Sequence, residues 1–205
     1  MYSRIVIATH NEGKVGEFRN LLRVAGLTLV SASEAHVREF PEETGTTFAE
    51  NALIKARAIA RETRLPALAD DSGIAVDALD GAPGVYSARF GGGEGWTDFD
   101  RNRHLLERLR DVTPEARGAR FVAALALVTP EGIVRTAEGV LEGRVALRPH
   151  GQGGFGYDPL FVPEGEERTL AQMTAAEKGA ISHRARALAL LRPQIVALMA
   201  AGWRE

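Results

Sequence analysis

The sequence of 205 residues contains no cysteine, which excludes disulfides and thiolate metal sites and fits a reducing compartment. It also lacks a long apolar run, because Arg192 and Pro193 interrupt the leucine-rich C-terminal stretch, so no membrane-spanning helix is expected. The apolar run Ile5–Ala8 near the N-terminus is too short for a signal peptide. There is no long basic run, and the net charge is −2, which argues against a large nucleic-acid surface. These absences leave a cytoplasmic globular protein as the expectation.

The composition indicates a folded chain, since hydrophobic residues make up 45% of it. No repeat, linker or low-complexity segment divides the sequence, so we expect one domain over residues 1–205. Helical and strand patterns alternate in the first half, and two long strand patterns joined by Pro130–Gly132 follow in the second. An α/β fold on a mixed sheet is therefore favoured over a purely parallel one.

The hydrophobic periodicity predicts the individual elements. Strands are predicted at Ile5–Ala8 and Leu27–Ala32, as a pair within Pro66–Leu79, and at Ala119–Thr129, Ile133–Leu141 and Gly143–Leu147. A first helix is predicted after Lys14, with Gly26 as its C-cap. Two further helices are predicted to begin at the capping boxes Thr47–Glu50 and Thr174–Glu177. The last two are predicted over Arg101–Arg110 and over residues 183–200, the latter with Ser182 as its N-cap.

Two adjacent carboxylates, Asp70 and Asp71, end the apolar run Leu65–Ala69, and a strand-like alternation resumes at Ile74 and Val76. Like charges side by side repel unless they are solvated, one is protonated or a cation lies near them. Mg²⁺ is the usual hard cation for such oxygens, and it often accompanies a phosphate substrate. Taken alone, the same residues are also explained by a solvated Asp-Asp-Ser-Gly turn.

The loop Thr9–Lys14 lies between the first strand and the first helix. That order aims backbone N–H groups and the positive end of the helix dipole at the loop, so an anion is its natural ligand. The spacing of a Walker A loop is absent, and the alternative is a plain connection with an exposed lysine. On the helix predicted from the Thr47–Glu50 capping box, Asn51 and Lys55 share one face, which points either into a site or into water, and water is the expectation for each residue taken alone.

A glycine-rich loop, Gly151–Phe161, contains four glycines that leave its backbone open to close approach. Phe155 and Tyr157 lie inside the glycine run, where an aromatic ring can stack on a flat ligand, and Asp158 can accept from ring N–H donors. The alternative is a tight turn with inward-packed aromatics. A further segment, Gly91–Trp96, is predicted to be flexible, with its tryptophan as a lid or as packing.

Two cationic residues, His183 and Arg184, fall in the first turn of the predicted last helix. Cations at that end oppose the helix dipole, and residues that break a local rule are candidates for function. The competing explanation is a surface arginine that costs only about a few tenths of a kcal/mol.

Together these motifs resemble the inosine triphosphate pyrophosphatase family, which hydrolyses non-standard purine nucleoside triphosphates. The resemblance is carried by Thr9-x-Asn11-x-x-Lys14, Glu42–Gly45 with Phe48 and Glu50–Ala52, Ala69–Gly73, Gly81–Gly84 with Ser87–Arg89, Gly154–Pro159, Glu177–Lys178 and Ser182–Arg184. It implies an α/β fold with a long mixed twisted sheet flanked by helices and two lobes around a central cleft. It also implies a homodimer that cleaves ITP, dITP and XTP, with Mg²⁺, to the monophosphate and pyrophosphate.

The resemblance also implies roles for individual residues. Asp71 is the expected general base, and the expected metal ligands are Asp71, Asp70 and either or both of Glu42 and Glu43. Substrate contacts are expected from Thr9, His10, Asn11, Glu12, Gly13, Lys14, Lys55, Ser72, Phe155, Gly156, Tyr157, Asp158, Lys178, His183 and Arg184.

Base selection follows from hydrogen-bond chemistry. A pocket lined by the donors Lys178, His183 and Arg184 favours 6-oxo purines and leaves the amino group of adenine facing donors. Guanine shares the 6-oxo group, and the sequence does not show how it is rejected.

Three other classes of function stay open for this sequence: a phosphotransferase that yields a diphosphate, a nucleotide-sensing or RNA-binding module, and a pyrophosphatase for modified pyrimidines.

Overall fold

The computed structural model of this chain describes residues 2–92 and 95–203, so Gly93 and Glu94 of the predicted flexible segment Gly91–Trp96 lie outside the described residues. The strands are β1 (Arg4–Ala8), β2 (Thr28–Ser31), β3 (Ala67–Val76), β4 (Gly118–Val128), β5 (Val134–Val145) and β6 (Phe161–Pro163). The α-helices are α1 (Glu12–Leu21), α2 (Phe48–Thr63), α3 (Asp98–Arg108), α4 (Ala175–Ile181) and α5 (His183–Ala200).

Within the described residues, the strands form one sheet in the order β2-β1-β3-β4-β5-β6. Strand β1 pairs in parallel with both β2 and β3, whereas β6 pairs antiparallel with β5. The sheet is therefore mixed, and the α/β prediction is confirmed. No helix in residues 2–92 or 95–203 has the length and apolar character needed to span a membrane.

The chain divides into two compact units. The first contains the chain up to Asp71, Ala123–Gly139 and the chain from Arg184 onward. The second contains Ser72–Val122 and Val140–His183. Strands β3, β4 and β5 each contribute residues to both units.

In the first unit, β1 is buried on both faces. Side chains alternate along a strand, so Ile5 and Ile7 join a core with α1 and α5, while Val6 and Ala8 join a core with α2. The continuous apolar run in the sequence predicts this double burial correctly. The second unit has its own core, built around Ile74, Leu105, Phe121, Leu160 and Phe161.

The pair of strands predicted within Pro66–Leu79 is wrong, since β3 is one strand that contains the Asp-Asp-Ser-Gly residues. A Cβ at Gly73 would lie 2.2 Å from Ser87 Oγ and 2.6 Å from Gly84 O, so this glycine allows a close approach instead of forming a turn. The Ser87 hydroxyl accepts a 2.9 Å hydrogen bond from Ile74 N there. The interpretation of Asp70–Gly73 as a solvated turn is also wrong, because these residues lie inside β3.

The separate strand predicted at Gly143–Leu147 is also wrong, because β5 continues to Val145. A Cβ at Gly143 would lie 2.3 Å from Val162 O, so the glycine admits β6 beside β5 and does not end the strand.

Helix boundaries follow the caps more than the apolar periodicity. Helix α1 begins at Glu12, before Lys14, because Asn11 Oδ1 accepts a 3.1 Å hydrogen bond from Lys14 N, and the helix ends at Leu21, well before Gly26. Helix α3 begins at Asp98 and not at Arg101, because Thr97 and Asp100 form a capping box. The capping boxes predicted for α2 and α4 and the range predicted for α5 are confirmed.

Candidate active site

Charged side chains from α1, β3 and α5 meet in the first unit around Asp70, which is 1% exposed. Asp70 Oδ2 lies 2.6 Å from Lys14 Nζ and 3.2 Å from an Arg184 guanidinium nitrogen. Arg184 is also 1% exposed and forms a second ion pair with Glu17 of α1. We call these four residues the Asp70 cluster: the buried Arg184 and the half-buried Lys14 share the buried Asp70 carboxylate, and Arg184 also pairs with Glu17.

The Asp70 cluster fixes the ionisation of its members. Burial would raise the pKa of Asp70, but Arg184 and Lys14 outweigh burial and hold that pKa well below its usual range. Burial lowers the pKa of Lys14, against the opposing charge of Asp70. Burial would also lower the pKa of Arg184, but Asp70 and Glu17 raise it overall. Asp70 is therefore an anion at neutral pH that holds two cations in place.

The next residue, Asp71, has different partners. Lys55 Nζ of α2 lies 3.1 Å from Asp71 Oδ1 and 2.7 Å from Glu43 Oε1. We call Glu43, Lys55 and Asp71 the Asp71 cluster. Glu42 is exposed, whereas Glu43 is partly buried in this cluster.

Strand alternation explains how the chain tolerates two adjacent carboxylates. Asp70 lies on the same face of β3 as Leu68, which packs in the core with α1 and α5. Asp71 lies on the face of Ala69, which packs in the core with α2. Each carboxylate therefore meets its own cations on its own side of the strand.

The prediction that Asn51 and Lys55 face water is wrong, because both are buried. Lys55 is matched by two carboxylates, and these raise its pKa although burial would lower it. Asn51 Oδ1 accepts a 2.8 Å hydrogen bond from Gly45 N, which ties the segment carrying Glu43 to α2.

One oxygen of the Asp71 cluster is available to a ligand. Asp71 Oδ2 is buried and has no hydrogen-bond partner among the described residues. Burial raises the pKa of Asp71 and Glu43 raises it further, against the opposing effect of Lys55. A buried carboxylate oxygen needs a donor or a cation.

Divalent-metal chemistry fits this donor set. In residues 2–92 and 95–203, no group of three or more acidic or histidine side chains could hold a metal by itself. Mg²⁺ in proteins is commonly bound by one or two carboxylates together with phosphate oxygens of the substrate. Glu43 and the open oxygen of Asp71 suit that shared mode of binding.

The residues of the segment Thr9–Lys14 form the N-terminal end of α1. Thr9 Oγ1 accepts a 3.1 Å hydrogen bond from Asn11 N, and Asn11 caps the helix. His10 is exposed and packs on the ring of Phe40, with 4.1 Å between centroids. Glu12 and Gly13 are exposed in the first helical turn. Lys14 therefore adds its ammonium to a helix N-terminus that already favours anions.

The second unit brings Phe155, Asp158 and Lys178 together. Asp158 Oδ2 lies 2.5 Å from Lys178 Nζ and accepts a 2.9 Å hydrogen bond from Phe155 N. The Lys178 ammonium also lies 4.5 Å from the centroid of the Phe155 ring. Lys178 and Asp158 are buried and Phe155 is half-buried. The group joins a flat ring, a cation and a carboxylate, which is the chemistry that recognises a heteroaromatic base.

The glycine-rich loop is shaped to place Asp158. Gly154 has φ of 71°, and a Cβ there would lie 2.0 Å from Asp158 Oδ2, so no other residue fits. Tyr157 packs inward as the alternative interpretation of the loop expected, and its buried hydroxyl donates to Ser87 O at 2.8 Å. Burial raises the pKa of Tyr157.

The remaining residues predicted to contact the substrate have different surroundings and partners in the structure. Ser72 is half-buried in β3. His183 is buried and stacks on Phe121, with 4.8 Å between ring centroids. The three predicted base donors therefore have different partners: Lys178 has Asp158, His183 has Phe121, and Arg184 belongs to the Asp70 cluster.

Glu177 begins the helix that carries Lys178. Its carboxylate accepts from Thr174 N at 2.7 Å and pairs with Arg168 at 3.0 Å. These contacts, led by the backbone hydrogen bond from Thr174, lower the pKa of Glu177 to about 2.

Replacing Glu177 with glutamine is expected to lower the thermal unfolding midpoint at pH 7 and to have a much smaller effect near pH 2. The folded pKa of Glu177 lies below its unfolded value of about 4.3, so its stabilising contribution is complete above the unfolded value. That contribution is lost as the pH falls through the folded value. Midpoints from pH 7 to pH 2 check this, with exposed Glu167→Gln as the matched control. A midpoint difference that does not change with pH would contradict it.

Sequence reasoning missed Asp98 and Asn102 of α3, which both bond to Gly156. Asp98 Oδ2 accepts from Gly156 N at 2.7 Å, and Asn102 Nδ2 donates to Gly156 O at 2.8 Å. The capping pattern at Thr97 could have placed them at a helix start, but no sequence signal links them to a loop 58 and 54 residues away.

Comparison with known proteins agrees with these observations. The sequence pattern of the Ham1 family matches residues 5–194. A dITP/XTP pyrophosphatase of Frankia alni is 55% identical, over 88% of this chain and 91% of its own. One of Streptomyces coelicolor is 50% identical, over 96% of this chain and 99% of its own. The structure of a HAM1 protein from Coxiella burnetii matches 96% of this chain and 100% of that chain, with a TM-score of 0.85 and 41% identity. This chain therefore belongs to the Ham1 family.

Proposed function

We propose that this chain is a Mg²⁺-dependent pyrophosphatase that converts ITP, dITP and XTP to the monophosphate and pyrophosphate. The observation that carries the proposal is the division of two adjacent aspartates into different environments. Asp70 is paired with two cations, Lys14 and Arg184. Asp71 shares the single cation Lys55 with Glu43, and its Oδ2 is buried with no hydrogen-bond partner among the described residues. The names of the relatives from Frankia alni and Streptomyces coelicolor support the substrate class.

Each charged group has a role in the hydrolysis. Lys14 and the N-terminus of α1 bind phosphate oxygens, with Asp70 holding the ammonium in place. Mg²⁺ bound by Glu43 and Asp71 would neutralise phosphate charge. Asp71 accepts the proton of the attacking water, whose oxygen bonds to phosphorus as the bond between the α and β phosphates breaks and pyrophosphate leaves.

The base is read by the residues of the second unit. Phe155 stacks on the purine, the Lys178 ammonium donates to an oxygen at position 6, and Asp158 accepts from a ring N–H. An adenine amino group would place a donor against the Lys178 ammonium, which has no lone pair to accept a hydrogen bond. A mismatch of this kind is worth up to about 10⁴-fold in discrimination.

Product analysis tests the proposal. Purified protein with Mg²⁺ is incubated separately with the triphosphates of inosine, xanthosine, guanosine, adenosine and thymidine. We expect monophosphate and pyrophosphate from the inosine and xanthosine compounds, turnover of ATP lower by about 10²-fold or more, and loss of activity in EDTA. Diphosphate and phosphate as products, or a need for an added acceptor, would identify a phosphotransferase instead.

The oligomeric state and the location are part of the same proposal. We infer that residues 1–205 act as one pyrophosphatase domain, since β3, β4 and β5 each contribute residues to both units. We also infer a homodimer, as the family resemblance implies, and a cytoplasmic location, which the lack of cysteine fits. Light scattering of the purified protein should give twice the mass of one chain, and the mass of one chain would contradict the dimer.

A further inference from the structure

Helix α3 holds both backbone polar groups of one residue of the glycine-rich loop, Gly156. Gly156 N donates to the Asp98 carboxylate at 2.7 Å, and Gly156 O accepts from the Asn102 amide at 2.8 Å. Asn102 Nδ2 also donates to the backbone carbonyl of Asp98 at 2.8 Å, which fixes the Asn102 side chain to the first turn of the helix. Gly156 lies between Phe155 and Asp158, so the position of its backbone sets the positions of both.

The anchoring side chains are themselves held. The second oxygen of Asp98 pairs with Arg101 at 2.9 Å, and Arg101 donates to Trp96 O at 2.8 Å. The capping box of Thr97 and Asp100 fixes the start of the helix. Asn102 is 6% exposed, so its amide is presented from a buried position. The geometry offered to Gly156 is therefore rigid.

Packing does not fix the loop at this point. A cavity of about 500 Å³ is lined by Asp98, Phe99, Asn102 and residues 153–156 of the loop. Gly156 has φ of 62°, and the position of a Cβ there has no neighbouring atom within 4 Å. A glycine backbone beside open space has many accessible conformations, so the hydrogen bonds from α3 select one of them.

We propose that Asp98 and Asn102 are positioning residues that set the affinity and selectivity of base recognition by holding the Phe155–Asp158 turn. The inference rests on the proposed function, because it assigns the base to Phe155, Asp158 and Lys178. Neither residue touches the base. They act through Gly156, and their loss releases the ring of Phe155 and the Asp158 carboxylate that orients Lys178.

Asp98→Ala is the decisive variant. We expect it to raise the KM for ITP by about tenfold, as the loss of a charged hydrogen bond allows, while kcat changes by less than about threefold. The ratio of kcat/KM between ITP and ATP should narrow by a similar factor. Asn102→Ala should act in the same direction.

Two further variants separate positioning from a general structural role. Asp98→Asn loses the same charge but keeps an oxygen that can accept from Gly156 N, so it should restore most of the lost affinity. Glu107→Gln removes a carboxylate from an exposed position of the same helix and should match the wild type. If Asp98→Ala lowers kcat with KM unchanged, or if Asp98→Asn behaves like Asp98→Ala, the proposal is overturned.

A measurement without substrate keeps this inference separate from the proposed function. The Gly156 amide should exchange its hydrogen about tenfold faster in Asp98→Ala than in the wild type, and at the wild-type rate in Glu107→Gln. If the wild type hydrolyses no triphosphate but this exchange result holds, the proposed function fails and the anchoring stands. An unchanged Gly156 exchange rate in Asp98→Ala overturns the anchoring itself.

Discussion

Asp71→Asn is expected to lower kcat for ITP by about 10²–10⁴-fold, the usual contribution of a general base. The amide cannot take a proton from water, and it removes the negative charge that would help to hold Mg²⁺. The fold should persist, because asparagine has nearly the same size and Lys55 keeps its 2.7 Å contact with Glu43. Steady-state kinetics of pyrophosphate release and circular dichroism check the two parts of this result.

Glu107→Gln is the control for the loss of a carboxylate, since Glu107 is exposed on α3 and belongs to neither charged cluster. It should keep kcat within about twofold of the wild type, as surface substitutions away from a site usually do. A nearly normal rate in Asp71→Asn would remove Asp71 from the chemistry.

Asp70→Asn should have its largest effect on stability. The substitution leaves Lys14 and Arg184 facing a neutral amide, and breaking a buried ion network in this way costs about 3–5 kcal/mol. For a chain of this size each kcal/mol shifts the unfolding midpoint by about 2–4 °C. We therefore expect a fall of about 6–20 °C, measured by thermal and urea unfolding.

The adjacent aspartate is the natural comparison for that experiment. Asp71→Asn changes the same atoms one residue away, yet burial raises the pKa of Asp71, so its charge contributes little to folding. Its unfolding midpoint should stay within about 4 °C of the wild type. If Asp70→Asn keeps the wild-type midpoint and instead loses turnover, then Asp70 acts on the ligand or metal and does not merely hold cations.

Local signals in the sequence predicted the parts of the fold that local physics decides. The apolar run of β1 indicated a strand buried on both faces, and the capping boxes at Thr47 and Thr174 marked the starts of α2 and α4. The strand boundaries predicted near Gly73 and Gly143 are wrong because each glycine makes room for a residue distant in the chain, Ser87 beside Gly73 and Val162 beside Gly143. A glycine that admits a neighbour looks, in sequence, like a glycine that turns the chain.

The candidate site shows the same limit. The motifs identified Asp70, Asp71 and Lys55, but not which cation serves which carboxylate, because strand alternation and the packing of α2 decide that pairing. Lys55 was expected in water because its helix spacing says nothing about Glu43 and Asp71. Asp98 and Asn102 carry no motif at all, since their significance depends on a peptide group elsewhere in the chain.

The span of the Asp70 cluster along the chain has a consequence for synthesis. Arg184 reaches Asp70 across 114 residues and Glu17 across 167. A ribosome releases the N-terminal segments first, so Lys14, Glu17 and Asp70 are synthesised long before Arg184, which pairs with two of them. Leu188 and Leu191 of α5 complete the core beside them at the same late stage. A chain interrupted before α5 lacks both the guanidinium and that part of the core, so the Asp70 cluster assembles only after α5 has been synthesised.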